Sequence, residues 1–180
     1  MYYMANLNKA INQLHETEPK WFAVYVAFKK EKFVKQLLVN KGIETYLPIQ
    51  KVIRKYKSKV KKLETPLISC YIFVRIVKCD YIKILETEYV IKFVKIGRDL
   101  VAIPDSEINV MQLILEAGVE VTIEQNSFYE GDKVLVKEGS LMGLRGKLIK
   151  FYGKERVVVE LSTISYTLHI EINKSLLTKV

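Results

Sequence analysis

Hydrophobic residues in the first two thirds of the chain alternate between runs typical of buried strands and patterns typical of amphipathic helices. Trp21–Ala27 and Tyr71–Ile76 are nearly continuous apolar runs rich in β-branched and aromatic residues, which favours central strands covered on both faces. Between them, Lys29–Asn40 has helical periodicity and is followed by Gly42, a suitable C-terminal cap. The predicted apolar face of this helix consists of Phe33, Val34, Leu37 and Leu38.

Shorter segments complete the first predicted domain. Extended structure is expected at Ile43–Pro48 and Tyr89–Lys95, and Lys51–Tyr56 with Lys59–Glu64 predicts a hairpin or a long mobile loop. Two more helices are expected, a short one with Asp80 as its N-cap and a longer one over 104–118 with Ile108, Met111, Ile114 and Leu115 on its apolar face. This order predicts an α+β sandwich over residues 20–118, with helices packed on a mostly antiparallel sheet.

The last third of the chain has a different pattern. Short alternating segments at Lys133–Lys137, Leu148–Tyr152, Arg156–Leu161 and Tyr166–Ile172 are separated by glycine-rich bends. With no helix of any length, residues 128–180 are predicted to form a small β-barrel. Residues 119–127 lack a clear period and are predicted to be a linker, and residues 1–19 carry only a weak helical signal and are interpreted as an appended segment.

Positive charge is concentrated in one stretch. The net charge is +9, and twelve residues, 51–62, hold seven basic side chains and no acid. Seven like charges repel one another, so a polyanionic partner that neutralises them is one explanation, because phosphate contacts gain affinity by releasing counterions. The alternative is a solvated hairpin edge, on which lysines block unwanted strand pairing. The basic residues are Lys51, Arg54, Lys55, Lys57, Lys59, Lys61 and Lys62.

Two large apolar residues, Leu67 and Ile68, precede the run at Tyr71–Ile76, where a polar loop would be usual. Pro66 cannot donate to a sheet ladder and is interpreted as the point where that strand is entered. Leu67 and Ile68 either pack into the core or form an exposed apolar docking patch beside the basic stretch.

Nothing in the chain favours catalysis, a metal or a cofactor. The only cysteines, Cys70 and Cys79, are too few for a zinc site and are interpreted as reduced buried thiols of a cytoplasmic protein. Carboxylates such as Glu86 with Glu88, or Asp105 with Glu107, occupy ordinary capping or surface positions, and His15 and His169 are interpreted as structural. No apolar run is long enough to span a bilayer, and no signal-peptide segment is recognised. We therefore expect neither an enzyme nor a membrane protein.

Three segments together resemble the NusG family. Gly131–Leu148, with its Gly-Asp turn, alternating valines and terminal glycine, resembles the KOW motif that begins an SH3-like barrel, and Lys20–Val24 and Pro66–Val74 resemble the two hallmark segments of the NusG N-terminal domain. The second hallmark usually reads aromatic-aromatic-Pro-Gly-Tyr, whereas this chain has Leu67-Ile68-Ser69-Cys70-Tyr71. In the KOW loop Ser140-Leu141 replaces the usual Pro-Phe pair. These departures resemble a specialised paralogue, an antiterminator of the UpxY-like type.

The resemblance implies a transcription elongation or antitermination factor that binds the RNA polymerase clamp in the β-prime subunit, suppresses pausing and contacts non-template DNA. The matching positions for the polymerase-binding surface are Trp21, Phe22, Leu67, Ile68 and Tyr71. The KOW domain of the family contacts a small-subunit ribosomal protein or Rho, and Leu141, Leu144 and Ile164 fall at its contact positions. A monomer is expected. The competing hypothesis is a ribosome-associated protein that binds RNA through its KOW domain.

Overall fold

The computed structural model describes residues 12–56, 59–125, 131–151, 154–161 and 164–180. The described chain groups into two compact units, one combining the residues up to Leu47 with Cys70–Pro104 and the other combining Pro48–Ser69 with Asp105–Val180. None of the described helices is long and apolar enough to cross a membrane.

The first unit is built on a four-stranded antiparallel sheet in the order β2-β5-β1-β6. The central strands β1 and β5 have consecutive buried residues, because both of their faces are covered, as the apolar runs predicted. The predicted limits of β5 are confirmed, and β1 is displaced by one residue. The strands are β1 (Lys20–Val26), β2 (Glu44–Tyr46), β5 (Tyr71–Ile76) and β6 (Val90–Phe93).

Two helices flank this sheet. α1 (Glu31–Asn40) contacts β2 and β5, and α2 (Tyr81–Leu85) contacts β6, where Tyr81 stacks on Phe93 at 4.6 Å between ring centroids. Asp80 precedes α2 without a side-chain cap, and its carboxylate instead accepts a hydrogen bond from Lys83 Nζ at 2.9 Å. The α+β prediction for this part of the chain is confirmed.

The buried face of α1 differs from the predicted one. Glu31, Val34 and Leu38 are buried, whereas Phe33 is 49% exposed. Positions 31, 34 and 38 follow the three- and four-residue spacing of one helix face, and position 33 lies more than a third of a turn from the centre of that face. Gly42 ends the helix as predicted, with a φ of +77° and its N–H donating to Val39 O.

The basic stretch forms a hairpin of β3 (Ile49–Tyr56) and β4 (Lys59–Pro66), which excludes the alternative of a long loop. Eight residue pairs connect the strands, from Ile49 opposite Pro66 to Tyr56 opposite Lys59. The interpretation of Pro66 as the start of the following strand is wrong, because Pro66 is the last residue of β4 and lies on a strand with only one partner, where its missing N–H costs no ladder bond.

The C-terminal part of the chain contains α3 (Asp105–Glu116) and a six-stranded antiparallel sheet in the order β12-β8-β9-β10-β11-β7. The strand-rich C-terminal domain is thus confirmed. Within 119–127, which the sequence predicts to be a linker, β7 pairs with β11 along its whole length and buries Val121, and the division into domains stays a prediction. The six strands are β7 (Val121–Gln125), β8 (Asp132–Val136), β9 (Arg145–Phe151), β10 (Lys154–Leu161), β11 (Tyr166–Glu171) and β12 (Leu177–Lys179).

The described part of the appended segment, residues 12–19, is attached to the first unit. Asn12 forms a parallel bridge with Leu100, and the Gln13 side chain accepts a hydrogen bond from Ala102 N at 2.8 Å. Lys78 N–H donates to His15 O at 2.8 Å. The appended segment therefore contributes backbone contacts to the domain from residue 12 onward, and Leu7 and Ile11 of its predicted helical pattern lie outside the described residues.

Candidate functional site

Four of the five side chains assigned to the polymerase-binding surface are buried in this structure. Trp21 is 8% exposed, Phe22 0%, Leu67 3% and Ile68 1%, whereas Tyr71 is half-buried. Of the two alternatives for Leu67 and Ile68, packing into the interior is the one observed, and no exposed patch exists at these two residues. The role of the five residues in binding polymerase stays a prediction.

The turn that leads into Tyr71 is strained and well anchored. Cys70 has a φ of +66°, in the left-handed region that favours glycine, and it occupies the position of the glycine in the family's second hallmark. Its N–H donates to Glu31 Oε1 at 2.8 Å, and its carbonyl accepts from Val26 N at 2.9 Å. Glu31 is only 5% exposed, so a buried carboxylate from α1 holds the turn against the end of β1.

Two tyrosines meet beside this turn. The rings of Tyr25 and Tyr71, which face each other across β1 and β5, pack edge to face at 5.5 Å between centroids. The neighbouring Cys70 thiol raises the pKa of Tyr25 by charge repulsion and by a hydrogen bond, and burial and Tyr71 add to the effect. Tyr25 is therefore a neutral hydrogen-bonding group at physiological pH.

The interpretation of both cysteines as buried is wrong. Both are free thiols, but Cys79 is exposed and Cys70 is half-buried. Cys79 precedes Asp80 in a short 3-10 turn, Lys78–Asp80, which lies beyond the end of β5 and outside the covered part of the sheet. Position along the strand-like run therefore did not predict burial.

A second group of rings at the same end of β1 is exposed, and we call it the ring cluster: Phe28, Phe33 and Tyr89 with Lys29 and Lys30. Phe28 is 65% exposed, Phe33 49% and Tyr89 38%. Phe33 and Tyr89 pack edge to face at 5.7 Å, and Lys30 Nζ lies 4.5 Å from the Tyr89 ring centroid. Lys29 Nζ lies 5.2 Å from the Phe28 centroid. Sequence patterns do not predict this cluster, and its one local signal is Phe28 between the end of a strand and three lysines.

The hairpin brings like charges together. Arg54 is placed directly opposite Lys61 by the strand register, and such pairs destabilise a ladder unless a partner neutralises them. Lys51 and Lys62 are exposed. The side chains of Arg54, Lys55, Lys57, Lys59 and Lys61 lie outside the described residues, as does the backbone of residues 57–58.

The three residues assigned to the KOW partner-binding edge are buried in this structure, with exposures of 5% for Leu141, 1% for Leu144 and 5% for Ile164. Between the first two, Met142 is 65% exposed on a turn closed by the Gly143 N–H, which donates to Val136 O at 2.8 Å. Gly146, the last glycine of the motif, has no room for a side chain, because a Cβ would lie 2.5 Å from Val158 O.

Both histidines have structural surroundings. His15 Nδ1 accepts a hydrogen bond from Glu18 N at 2.8 Å. The His169 side chain is fully buried on β11, and its Nε2 lies 3.5 Å from a carboxylate oxygen of Glu124 on β7. Burial lowers the pKa of His169, Glu124 opposes this shift, and Arg156 adds to it. Among the described residues, no three or more His, Cys, Asp or Glu side chains lie close enough together to hold a metal ion.

Comparisons with known proteins give one family. A family model described as transcription termination factor nusG matches residues 19–112. No curated protein matches the chain. Among solved structures, "Domain interaction in Thermotoga maritima NusG" matches with a TM-score of 0.50 and 20% identity, covering 91% of this chain and 98% of that one. A structure of the MjSpt4:Spt5 complex matches with a TM-score of 0.31 and 18% identity, covering 89% of this chain and 97% of that one.

Proposed function

Because the chain belongs to the NusG family, we propose that this transcription elongation factor is a specialised antiterminator of the UpxY-like type. It binds the clamp of RNA polymerase, suppresses pausing or termination, and contacts the non-template DNA strand. It is not an enzyme, needs no metal or cofactor, and acts as a monomer in the cytoplasm.

The observation that carries this proposal is the N-terminal domain, in which the family match coincides with a basic hairpin. The matched region, 19–112, includes the four-stranded sheet and the hairpin of β3 and β4. A hairpin with seven basic side chains, one of them opposite another in the register, fits a nucleic-acid arm better than a solvated edge. The departures from the family's hallmark at Leu67–Cys70 support a paralogue rather than the general factor.

We propose to test the polymerase contact first at Tyr71. It is half-buried at the start of β5, so part of this residue is at the surface without any rearrangement. For Trp21, Phe22, Leu67 and Ile68, a direct contact requires that they become accessible on binding, and their replacement would also disturb the interior. That these four residues belong to the polymerase-binding surface remains part of the proposal.

For the C-terminal domain we propose contact with a small-subunit ribosomal protein or Rho through the region of Leu141, Leu144 and Ile164. Met142 lies in this region and is exposed, so it can be changed without opening a cavity. Truncation of a central contact side chain typically costs about 2 kcal/mol of binding free energy, or about thirtyfold in affinity.

The test uses two variants as controls for each other, in pull-downs with core RNA polymerase and with the ribosomal protein or Rho. Tyr71→Ala is expected to weaken polymerase binding and to leave the second contact unchanged. Met142→Asp is expected to do the reverse. Circular dichroism checks that both variants are folded. Unchanged polymerase affinity in folded Tyr71→Ala would refute the assignment of this surface, and failure of the unaltered chain to bind polymerase would refute the proposed function itself.

A further inference from the structure

The turn before β5 ends in a backbone conformation that its residue type does not favour. Cys70 has a φ of +66°, and a residue with a Cβ atom is disfavoured in this left-handed region by about tenfold. Tyr71 follows directly as the first residue of β5, so the backbone angles of Cys70 determine how Tyr71 enters the sheet. A conformation of this kind persists where surrounding contacts enforce it.

Hydrogen bonds on both sides of Cys70 supply this enforcement. The carbonyl of Cys70 accepts the Val26 N–H at 2.9 Å, next to the pair of the β1–β5 register in which Tyr25 lies opposite Tyr71. The N–H of Cys70 donates to Glu31 Oε1 at 2.8 Å. The first bond comes from the sheet and the second from the first turn of α1, so α1 takes part in fixing the turn.

Glu31 is suited to this task by its burial and its charge. It is buried, and a buried carboxylate is costly unless hydrogen bonds replace its lost hydration. A hydrogen bond from a backbone N–H to a carboxylate is stronger than one to a neutral acceptor, and the N-terminal end of a helix favours negative charge. Glu31 is therefore held in place itself and can hold the Cys70 N–H in one position.

We propose that Glu31 is a positioning residue for the polymerase contact at Tyr71. By holding Cys70 in the left-handed conformation, it keeps the Tyr71 ring packed edge to face on Tyr25, at 5.5 Å between centroids, in the orientation that polymerase binds. The inference rests on the proposed function, because the contact at Tyr71 is part of it. A binding-competent geometry that is populated in only a fraction of the molecules lowers the apparent affinity by that fraction. Glu31 thus contributes to affinity from the interior, without touching polymerase.

The experiment is a double-mutant cycle between positions 31 and 70, read out as the affinity of the full chain for core RNA polymerase. Glu31→Ala is expected to lower this affinity about tenfold, because Cys70 then leaves the left-handed conformation in most molecules. Glycine adopts this conformation without enforcement, so the same change in a Cys70→Gly background is expected to cost less than about twofold. Glu31→Gln keeps an acceptor for the Cys70 N–H and is expected to lose less than about threefold.

A matched control separates positioning from a general loss of stability. Val34→Ala removes buried atoms from the same face of α1 but no hydrogen bond to Cys70. The folded variant is expected to bind polymerase with wild-type affinity, although it unfolds at a lower urea concentration. Circular dichroism checks that every variant in the cycle is folded.

Hydrogen exchange of single amides, followed by NMR, tests the turn without polymerase. The Val26 amide donates to Cys70 O, and its exchange is expected to become about tenfold faster in Glu31→Ala and to slow again when Cys70→Gly is added. The next amide, that of Ala27, donates to Tyr89 O and is the internal control. Its exchange is expected to stay unchanged in all variants.

Three outcomes would overturn the proposal. An equal loss of polymerase affinity from Glu31→Ala with Cys or Gly at position 70 would show that Glu31 does not act through the turn. A loss in Glu31→Gln as large as in Glu31→Ala would assign the effect to charge rather than to the hydrogen bond. Unchanged Val26 exchange in Glu31→Ala would show that Glu31 does not hold the turn. Failure of the proposed function is distinct, since the unaltered chain then does not bind polymerase, and the exchange of Val26 still decides whether Glu31 positions Tyr71.

Discussion

The hairpin and the ring cluster are two exposed regions of opposite construction. The hairpin carries seven basic side chains on two strands paired only with each other, and its register places Arg54 opposite Lys61. The ring cluster carries two lysines, its backbone is hydrogen-bonded next to the end of β1, and two of its three rings, Phe33 and Tyr89, pack on each other. One region concentrates charge on an isolated two-stranded ladder, and the other combines packed rings with little charge.

This difference shows which region can carry the proposed contact with DNA. Phosphate contacts depend on the number of charges and fall steeply with salt, but they do not depend on the base. The hairpin is therefore expected to determine how the affinity for a single strand changes with salt concentration, whereas the two lysines of the ring cluster contribute less to that slope.

The largest expected effect concerns the hairpin. Changing Lys55, Lys57, Lys59 and Lys61 to Gln is expected to flatten the slope of log affinity against log salt by roughly three units for a single strand. Complex affinity and pause suppression are measured at several salt concentrations. Equal slopes of log affinity against log salt for the variant and the wild type would favour the alternative that the hairpin is a solvated edge.

The matched control for that variant removes the same charge from exposed lysines elsewhere. The control positions are Lys95, Lys133, Lys137 and Lys150. Little change is expected, because these lysines are spread over separate elements and do not line one strand. A larger loss for the control than for the hairpin variant would favour the alternative of a ribosome-associated protein that binds RNA through its KOW domain.

A smaller effect is expected from replacing Glu31, which holds the turn at Cys70. Glu31→Ala removes a buried carboxylate that accepts the Cys70 N–H and is expected to lower the free energy of unfolding by about 2 kcal/mol. Glu31→Gln keeps an acceptor and should recover part of this loss. Urea titration followed by circular dichroism measures both variants. A Glu31→Ala protein as stable as wild type would mean that the geometry of the turn is enforced by something other than this hydrogen bond.

The smallest effect separates backbone strain from side-chain loss at the same turn. Cys70→Gly and Cys70→Ala both remove the thiol, but only glycine adopts a φ of +66° without steric cost. Cys70→Gly is expected to be the more stable of the two by about 1 kcal/mol. Equal urea midpoints and slopes for the two variants would contradict a left-handed turn at this position. The hairpin offers no equivalent test among its described residues.

Local patterns predicted the elements that bury their own residues continuously. The limits of β5 and the existence of α1, the hairpin and the C-terminal strands followed from period and from turn residues. Local patterns did not predict burial where it depends on contacts between residues distant in sequence. Phe33 was assigned to the buried face of α1, and β7 was missed because only its pairing with β11 reveals Val121 as a core residue.

The candidate sites were less predictable for the same reason. Leu141, Leu144 and Ile164 were chosen by position in a motif, which does not report exposure, and all three are buried. Phe28, Phe33 and Tyr89 are separated by up to 61 positions in sequence, so no pattern unites them before the chain folds. The strained turn at Cys70 has a sequence signal only through the resemblance, which places a glycine there.

The eight-pair ladder of the hairpin determines how far its two strands extend. At about 3.3 Å per residue, the seven steps from the Ile49–Pro66 pair to the Tyr56–Lys59 pair span about 23 Å. Adding or removing two residue pairs would move the turn by about 6.6 Å and keep every side chain on its face, whereas one pair would exchange the faces. The length of such a hairpin can therefore change without exchanging its two faces only in steps of two residue pairs. The charges at the added positions are not constrained in this way.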